Sequence, residues 1–513
     1  MMAKRSLWGS KIGFLLAAIG SAVGLGNIWR FGYMAYENGG GAFLVPYAVA
    51  LVLAGIPLMI LEYTLGHREK AAPPLAFARI DRRWETIGWW MPTIAFFGIN
   101  LFYAAVIGWC MNYFCFSFNQ AWGADTGDFF MNTFLQVSES PFDLGGIRWP
   151  ILAGTVLTWI ISWAICFREV NHGIEKASMI FMPLLVVLTF VLIGWSLQLP
   201  GAWEAIKENY LTARWEKINP LSAAGSKVWV AAFGQIFFTL SLGFGIMVTY
   251  ASYLPKKTDI VGNALITSVL NCLYSFITGF AVFGTIGFMA ASKGVPFAEA
   301  ITSGPGLAFV VYPEAINQLP AGQTIFGLLF FLVLIMAGLS SAISLVEAFC
   351  CSLIDKFDFN RKKTVTVVCL LGCLGSVIFT TRAGLWILDI VDHFVNNYGL
   401  VTGGIFECLL VGWVLKAAVA RRHVDQVGGV RLHKGWEVLI KFITPIILII
   451  VIGFALYSEF SGNYGDYSTK ALLFLGVGWL LAALVISFVL MRYPWSGTKL
   501  EREHEPEEDH LLV

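Results

Sequence analysis

Two short runs of glycines and polar residues interrupt apolar parts of the sequence. They are GSAVGLGN at 20–27 and TLSLGFG at 239–245. Glycine is a poor helix former, so we expect a membrane helix to unwind at each run. The freed N–H groups at a helix start suit an anion, and the freed carbonyl groups at a helix end suit a cation. Non-helical backbone at membrane depth is tolerated only where it is buried in protein or lines a site. Both runs are therefore candidate binding sites.

The elements that carry these runs are strongly apolar. Hydrophobic residues make up 57% of the 513 positions, charged residues only 13%, and the mean hydropathy is +0.72. Apolar runs of about 20 residues with few charges predict membrane helices. About twelve such runs occur, near 11–36, 41–66, 87–120, 148–167, 174–198, 228–254, 260–290, 322–354, 364–381, 385–419, 436–458 and 470–492. The sequence thus predicts an all-α, multi-pass integral membrane protein of the cell (inner or plasma) membrane.

The two interruptions lie five spans apart, in the first and sixth predicted spans. Broken helices at matching positions indicate an inverted repeat of five plus five helices. We expect the first repeat at 11–198, the second at 228–419, helices 11 and 12 at 436–492, and end segments at 1–10 and 493–513. Lys and Arg concentrate in the loops on one side, which predicts that both termini are cytoplasmic. Small residues also allow close helix packing, so a purely structural role for the glycines stays open.

Other classes of function find little support in the sequence. A net charge of +1 argues against a nucleic-acid partner. The nine cysteines lie in apolar spans, as small buried side chains do. A membrane enzyme would need paired acids or a His or Cys cluster, and the seven histidines form none along the chain. A channel would need a charged ring or a carbonyl filter. We therefore expect no enzyme, and the oligomeric state stays undetermined.

The motifs around the two interruptions resemble those of the neurotransmitter:sodium symporter family. They are GSAVGLGNIWRF at 20–31, ENGGGAF at 37–43, GQIFFTLSLGFG at 234–245 and AGLSS at 337–341, in the same order along the chain. The resemblance is to prokaryotic amino acid transporters of the type of the bacterial leucine transporter. It implies a sodium-driven symporter that works by alternating access, with broken helices 1 and 6 in a ten-helix core.

The resemblance also implies which residues bind substrate and sodium. The substrate carboxylate would meet the N–H groups of Leu25 and Gly26. The implied substrate site comprises Ser21, Ala22, Gly24, Leu25, Gly26, Ile99, Tyr103, Phe238, Thr239, Ser241, Phe244, Ser341 and Leu345. The first sodium site would comprise Ala22, Asn27, Thr239 and Asn271, and the second Gly20, Val23, Ala337, Ser340 and Ser341. A lone membrane Asn more often joins helices, and paired serines more often bond back to their own helix; both alternatives stay open.

Gly24 bears on the substrate class. Monoamine transporters of the family have an aspartate at this position, which meets the ligand ammonium and replaces the carboxylate that the ligand lacks. This chain has no side chain there, so the resemblance implies an amino acid, and the uncharged pocket implies a neutral, small to medium apolar one. One methylene is worth only about 1–3 kcal/mol in such a pocket, so the amino acid itself is not determined. A sodium-dependent sensor on the same fold and a transporter of a non-alpha amino acid are the alternatives.

Two sodium ions at membrane depth need a compensating charge. Chloride-independent bacterial relatives place an acid one helical turn after the seventh-span asparagine, where this chain has Ser275. We therefore predict chloride as a further candidate ion, held by Tyr47, Gln235, Thr239 and Ser275. In the alternative, Ser275 only packs, and a proton or a distant carboxylate balances the charge.

Charged residues within the membrane are usually functional. The resemblance implies an outer gate of Arg30 with Asp392, and an inner gate of Arg5 with Asp355 next to Trp8. Gly173 and Pro183 match a family motif that lets the inner half of the fifth span unwind and release sodium. The expected partners are the neutral amino acid and membrane lipid, with sodium as the coupling ion.

Overall fold

The computed structural model describes residues 6–302, 304–497 and 499–500. These residues form helices joined by loops, and the loops contain two isolated β-bridges, Gly40 with Ala213 and Ile147 with Thr381. Ten of the helices are long and apolar enough to cross a membrane, and one bent pair adds an eleventh. The all-α membrane fold is confirmed.

We number the spans 1 to 12 along the chain. Span 1 is the bent pair Lys11–Ala22 and Leu25–Glu37, whose halves are inclined by 58°. Span 6 consists of Ala223–Thr239 and Ile246–Ser252, separated by non-helical residues 240–245. The others are Gly41–Glu69, Arg82–Phe116, Trp149–Cys166, Ile174–Ser196, Ile260–Lys293, Gln323–Phe357, Arg361–Thr380, Gly384–Val414, Gly435–Ser461 and Thr469–Arg492. The halves of span 6 are individually too short to cross a membrane, but together they complete the predicted twelve.

Local backbone conformation explains both breaks. The first half of span 1 ends because Val23 and Gly24 adopt extended conformations, with φ of −76° and −118°. In span 6, Ser241, Gly243 and Gly245 have φ of 54°, 76° and 76°, a left-handed region that ends a helix and favours glycine. A Cβ atom on Gly243 would also lie 2.7 Å from the Leu400 carbonyl oxygen. Glycine at 243 is therefore required both by conformation and by the approach of span 10.

Burial separates the central spans from the peripheral ones. In spans 3 and 8, 83% of the most apolar 18-residue stretch is buried inside the protein. The corresponding shares are 28% in span 11 and 22% in span 12. Spans 3 and 8 therefore lie at the centre, and spans 11 and 12 face lipid along most of their surface. The division of the first ten spans into two repeats stays a prediction.

Three loops that the order of the spans places on one side contain short helices, and we call this side the outer side. The loop before span 4 contains Phe129–Leu135, and the loop before span 6 contains Ile206–Leu211. The loop between spans 7 and 8 contains Leu307–Val311, and its Phe309 ring lies 6.4 Å from the Trp29 ring of span 1. This loop therefore packs on the outer half of span 1. That both termini are cytoplasmic remains a prediction.

Candidate functional site

The break in span 1 presents backbone N–H groups to a tyrosine hydroxyl. The N–H of Leu25 donates to the Tyr103 hydroxyl oxygen at 3.2 Å, and the N–H of Gly24 donates to Asn27 Oδ1 at 2.9 Å. Gly26 lies in the first turn, where an N–H has no acceptor within its own helix. A Cβ atom on Gly24 would lie only 3.0 Å from the Tyr103 hydroxyl. The N–H groups of the break could thus bind an anion. Position 24 has no acidic side chain that would occupy this place.

The walls of this site come from spans 1, 3, 6 and 8. A Cβ atom on Gly26 would lie 2.9 Å from the Phe238 ring, and the rings of Phe238 and Phe244 are 6.5 Å apart. Ile99 and Leu345 are buried. The structure therefore places the aromatic rings of Phe238 and Phe244 beside the break, and the contact of Ile99 and Leu345 with the substrate stays a prediction.

Serine hydroxyls tie the break in span 1 to spans 6 and 8. The Ser21 carbonyl oxygen accepts hydrogen bonds from Ser341 Oγ at 3.2 Å and from Ser241 Oγ at 3.4 Å. The Ser21 hydroxyl itself donates to Ser344 Oγ at 2.7 Å. Ser344 is not among the predicted residues, although it lies close to Ser340 and Ser341 in the sequence. The hydroxyl groups of Ser241 in span 6 and Ser341 in span 8 thus bond to the same carbonyl group of span 1. The breaks in spans 1 and 6 therefore lie next to each other and next to span 8.

A buried cluster of oxygen atoms lies beside the break, at the predicted first sodium site. Asn27 Nδ2 lies 3.1 Å from Thr239 Oγ1, 2.9 Å from Asn271 Oδ1 and 2.8 Å from Ser275 Oγ. An amide nitrogen has two hydrogens, so it cannot donate fully to three acceptors. Oxygen atoms of this kind, next to an unwound helix, suit a sodium ion. Ala22, the remaining predicted ligand, is the last residue of the first half of span 1.

Thr278 is a further member of this cluster that is not among the predicted residues. Its hydroxyl donates to the Asn27 carbonyl oxygen at 3.0 Å. The spacing of Asn271, Ser275 and Thr278 puts all three on one helical face, and this pattern was the available signal. Among the described residues, no group of three or more His, Cys, Asp or Glu side chains could hold a metal ion. The cation site that the geometry offers is therefore one of hydroxyl, amide and carbonyl oxygens.

The residues of the predicted second sodium site also come together. A Cβ atom on Gly20 would lie 3.5 Å from the Ser340 Cβ, and the extended Val23 leaves span 1 with free carbonyl groups. Ser340 Oγ and Ser341 Oγ both donate to the Ala337 carbonyl oxygen, at 2.9 and 3.3 Å. These bonds lie within one helix. They correspond to the alternative stated above, in which paired serines bond back to their own helix. Sodium binding by the two serines stays a prediction.

Two residues of the predicted chloride site are buried polar side chains. Tyr47 and Gln235 are 5% and 1% exposed, and neither amide atom of Gln235 has a hydrogen-bond partner among the described residues. The Tyr47 hydroxyl lies next to Ser275 and Cys272. Chloride binding by these residues stays a prediction.

The outer-gate residues do not form an ion pair in this structure. The Arg30 guanidinium lies over the Phe238 ring, 4.9 Å from its centre. Among the described residues, no ion pair within 4.0 Å joins Arg30 to Asp392. Asp392 instead accepts a hydrogen bond from Asn396 at 2.7 Å. The expected contact is therefore not made here, because each side chain has another partner, and the gate role itself stays a prediction.

Two tyrosines of the loop between spans 11 and 12 form hydrogen bonds with Asp389, which lies one turn before Asp392 in span 10. The hydroxyl groups of Tyr464 and Tyr467 donate to the Asp389 carboxylate at 3.0 and 2.9 Å. Burial, together with this negative charge, raises the pKa of both tyrosines. The outer end of span 10 is thus attached to the loop between spans 11 and 12.

On the inner side, Arg5 lies outside the described residues. Trp8 donates through its indole Nε1 to the Tyr250 carbonyl oxygen at 2.8 Å, and its backbone N–H donates to the Tyr253 carbonyl oxygen at 3.1 Å. Asp355 is 8% exposed and accepts a hydrogen bond from the Ala72 N–H at 2.7 Å. Trp8 therefore attaches the N-terminal segment to the second half of span 6.

The predicted hinge lies at the start of span 5. A Cβ atom on Gly173 would lie 2.2 Å from the Ile165 carbonyl oxygen, so only glycine fits there, and Pro183 lies inside the helix. Glu175, which is not among the predicted residues, accepts hydrogen bonds from the Gly9 N–H at 2.7 Å and from Ser10 Oγ at 2.8 Å. Unwinding at the inner end of span 5 would release this attachment to span 1.

Known proteins are similar to this chain along nearly its whole length. The model of the sodium:neurotransmitter symporter family matches residues 5–127 and 123–496. An uncharacterized sodium-dependent transporter of Methanocaldococcus jannaschii is 43% identical over 489 residues, which cover 95% of this chain and 98% of the relative. The sodium-dependent dopamine transporter of Bos taurus is 31% identical over 555 aligned residues, which cover 99% of this chain and 78% of the relative.

Proposed function

The chain belongs to the sodium:neurotransmitter symporter family and is a sodium-dependent membrane transporter, not an enzyme, and we propose that it carries a neutral, small to medium apolar amino acid by alternating access. The observation that supports this substrate class is the break in span 1. There, the N–H of Leu25 meets only the uncharged Tyr103 hydroxyl, the N–H of Gly26 lies in the first turn of the helix, and Gly24 brings no carboxylate. The ligand must therefore bring its own carboxylate.

The alternative of a monoamine substrate fits this site poorly. One relative is named a dopamine transporter, and a monoamine has a cationic amine but no carboxylate. A helix start repels a cation, and no Asp or Glu is among the residues that wall the site, which include Phe238, Phe244 and Leu345. Similarity to that relative supports membership of the family and dependence on sodium. The absence of an acidic side chain among the predicted wall residues supports an amino acid as the substrate.

Coupling to sodium follows from the position of Asn27. Its side chain contacts the oxygen cluster at Asn271 and Thr239, and its Oδ1 accepts a hydrogen bond from the Gly24 N–H in the break. A substrate carboxylate bound at the break would add a negative charge next to the cluster. Sodium and substrate would then each increase the affinity for the other, because coupling between two sites is reciprocal.

We extend the proposal to chloride at Tyr47, Gln235, Thr239 and Ser275. The buried Gln235 amide NH2 group, which has no partner in the described part of the chain, and the Tyr47 hydroxyl next to Ser275 support an anion at this position. Ser275→Glu would place a fixed carboxylate there, so we expect uptake by this variant to continue when chloride is replaced by gluconate. Ser275→Ala is the matched control and should keep the chloride requirement. Wild-type uptake that is insensitive to gluconate replacement would remove the chloride proposal and leave the amino acid proposal intact.

The experiment that tests the main proposal is uptake into proteoliposomes of purified protein. The labelled panel would contain glycine, alanine, leucine, a non-alpha amino acid and dopamine, with sodium and chloride gradients imposed separately. We expect accumulation of a neutral amino acid that requires an inward sodium gradient. Accumulation of dopamine alone would refute the substrate class. Sodium-dependent binding without accumulation would support a sensor and refute transport of the ligand.

A further inference from the structure

Two glutamates are fully buried in the membrane core outside the site described above. Glu62 of span 2 and Glu407 of span 10 are both 0% exposed. Glu62 Oε1 accepts a hydrogen bond from the Gly243 N–H in the break of span 6, at 2.8 Å. The backbone of Val248 also lies next to the Glu62 carboxyl group, whereas neither oxygen of Glu407 has a hydrogen-bond partner among the described residues.

The packing of spans 6 and 10 brings the two acids together. A Cβ atom on Gly403 would lie 3.2 Å from the Gly243 carbonyl oxygen. Glu407 follows Gly403 by one turn in the continuous helix Val401–Leu409, so both residues lie on the same face. Glu62, which is hydrogen-bonded to Gly243, therefore lies at the same junction of spans 6 and 10 as Glu407.

No positive charge neutralises this pair. Among the ion pairs of the described residues, none includes Glu62 or Glu407. Their titratable neighbours are Tyr63 of span 2 and Cys408 of span 10, and neither can be a cation. Spans 3 and 11 contribute Met91 and Leu448 to the surrounding packing, which are uncharged.

Another buried acid, Glu347, is neutralised by an arginine. Glu347 is also 0% exposed, but its oxygens accept hydrogen bonds from the Arg361 guanidinium at 2.8 and 2.7 Å and from the Tyr253 hydroxyl at 2.7 Å. Glu347 therefore has a cation and a hydroxyl donor as partners. Two adjacent carboxylates without a cation cannot both remain ionised, because each opposes the charge on the other and neither is solvated.

We propose that Glu62 and Glu407 form an intramembrane proton-binding site that joins span 10 to the break of span 6. The carboxylic acid O–H of Glu407 donates to Glu62 Oε2, while Glu62 Oε1 keeps the Gly243 N–H. When the pair loses its proton, the O–H bond of Glu407 breaks and the proton passes to water, which leaves two negative charges in contact. Their repulsion separates span 10 from the break, so proton occupancy is linked to the movement of span 6 during transport.

The test is infrared spectroscopy of the full-length protein, in which a protonated carboxylic acid has its own carbonyl absorption. We expect the wild-type protein to show this absorption at neutral pH and to lose it at alkaline pH. Glu407→Gln should remove it, and Glu62→Gln should shift it because the Glu407 O–H loses its acceptor, whereas Glu175→Gln, which replaces an acid that accepts two hydrogen bonds, should leave it in place. If Glu407→Gln does not fold, Glu407→Asp should shift the absorption. The proposal is overturned if the wild-type absorption is absent, or if it persists unshifted in the Glu407 variant.

Transport supplies a second readout that a purely structural role would not change. We expect wild-type uptake to fall as the pH rises and the pair loses its proton. Glu407→Gln keeps a hydrogen-bond donor at that position without a titrating group, so its uptake should lose this pH dependence. A pH profile of Glu407→Gln that matches the wild type would place the titrating group elsewhere and overturn the link to transport. Failure of the amino acid proposal would leave the infrared result unaffected.

Discussion

Alanine at position 24 would test the anion-binding role of the break in span 1. A Cβ atom on Gly24 would lie 3.0 Å from the Tyr103 hydroxyl and 3.1 Å from Ser341 Oγ, both shorter than an ordinary van der Waals contact. The φ of −118° is open to any residue, so the backbone itself is not strained. The Tyr103 hydroxyl must move, and with it the hydrogen bond that it accepts from the Leu25 N–H at 3.2 Å.

The expected loss is that of the hydrogen bond between the Leu25 N–H and the Tyr103 hydroxyl, which are both uncharged. Such a bond contributes about 0.5–1.5 kcal/mol, and each 1.4 kcal/mol corresponds to about a tenfold change in affinity. We therefore expect Gly24→Ala to raise the KM for uptake roughly 2- to 12-fold. The maximal rate should change less, because the lost bond positions an N–H group of the substrate site.

Gly32→Ala is the matched control in the outer half of the same span. A Cβ atom on Gly32 would meet Phe283 and Val282 at 3.5 Å, an ordinary contact. Both variants would be assayed by the concentration dependence of uptake into proteoliposomes and by sodium-dependent binding. A wild-type KM for Gly24→Ala would refute the reasoning, and so would an equal loss for Gly32→Ala.

Three further substitutions test other contacts. Asn271→Ala removes an oxygen and a donor from the sodium cluster, so the sodium concentration for half-maximal uptake should rise roughly tenfold; an unchanged sodium curve would exclude Asn271 as a ligand. Arg361→Met leaves the buried Glu347 without its cation and should cost about 3–5 kcal/mol of folding free energy, seen as a lower Tm in detergent; an unchanged Tm would contradict this. Arg30→Ala removes the cation above Phe238 and should reduce uptake by weakening closure on the outer side, whereas wild-type uptake would show that the outer-gate assignment is wrong.

Some features follow from local sequence alone. The apolar runs located the twelve spans, because a membrane helix needs about 20 apolar residues whatever its neighbours are. The two glycine-rich runs located the breaks at Val23 and Gly24 and at 240–245, because glycine and extended residues end a helix locally. The family resemblance then supplied the candidate residues around both breaks, and the structure brings most of them together.

Contacts between distant spans were decided only by the tertiary structure. Nothing near Glu175 in the sequence indicates that it bonds to Ser10, and nothing near Glu62 indicates that it accepts a hydrogen bond from the Gly243 N–H. Arg30 and Asp392 were paired by resemblance, yet each has another partner here. A side chain's identity limits which partners it can accept, but packing of whole spans sets the distance to each of them. Sequence therefore determined where this chain crosses the membrane and where its helices break, and tertiary packing decided which buried polar groups are paired and which are not.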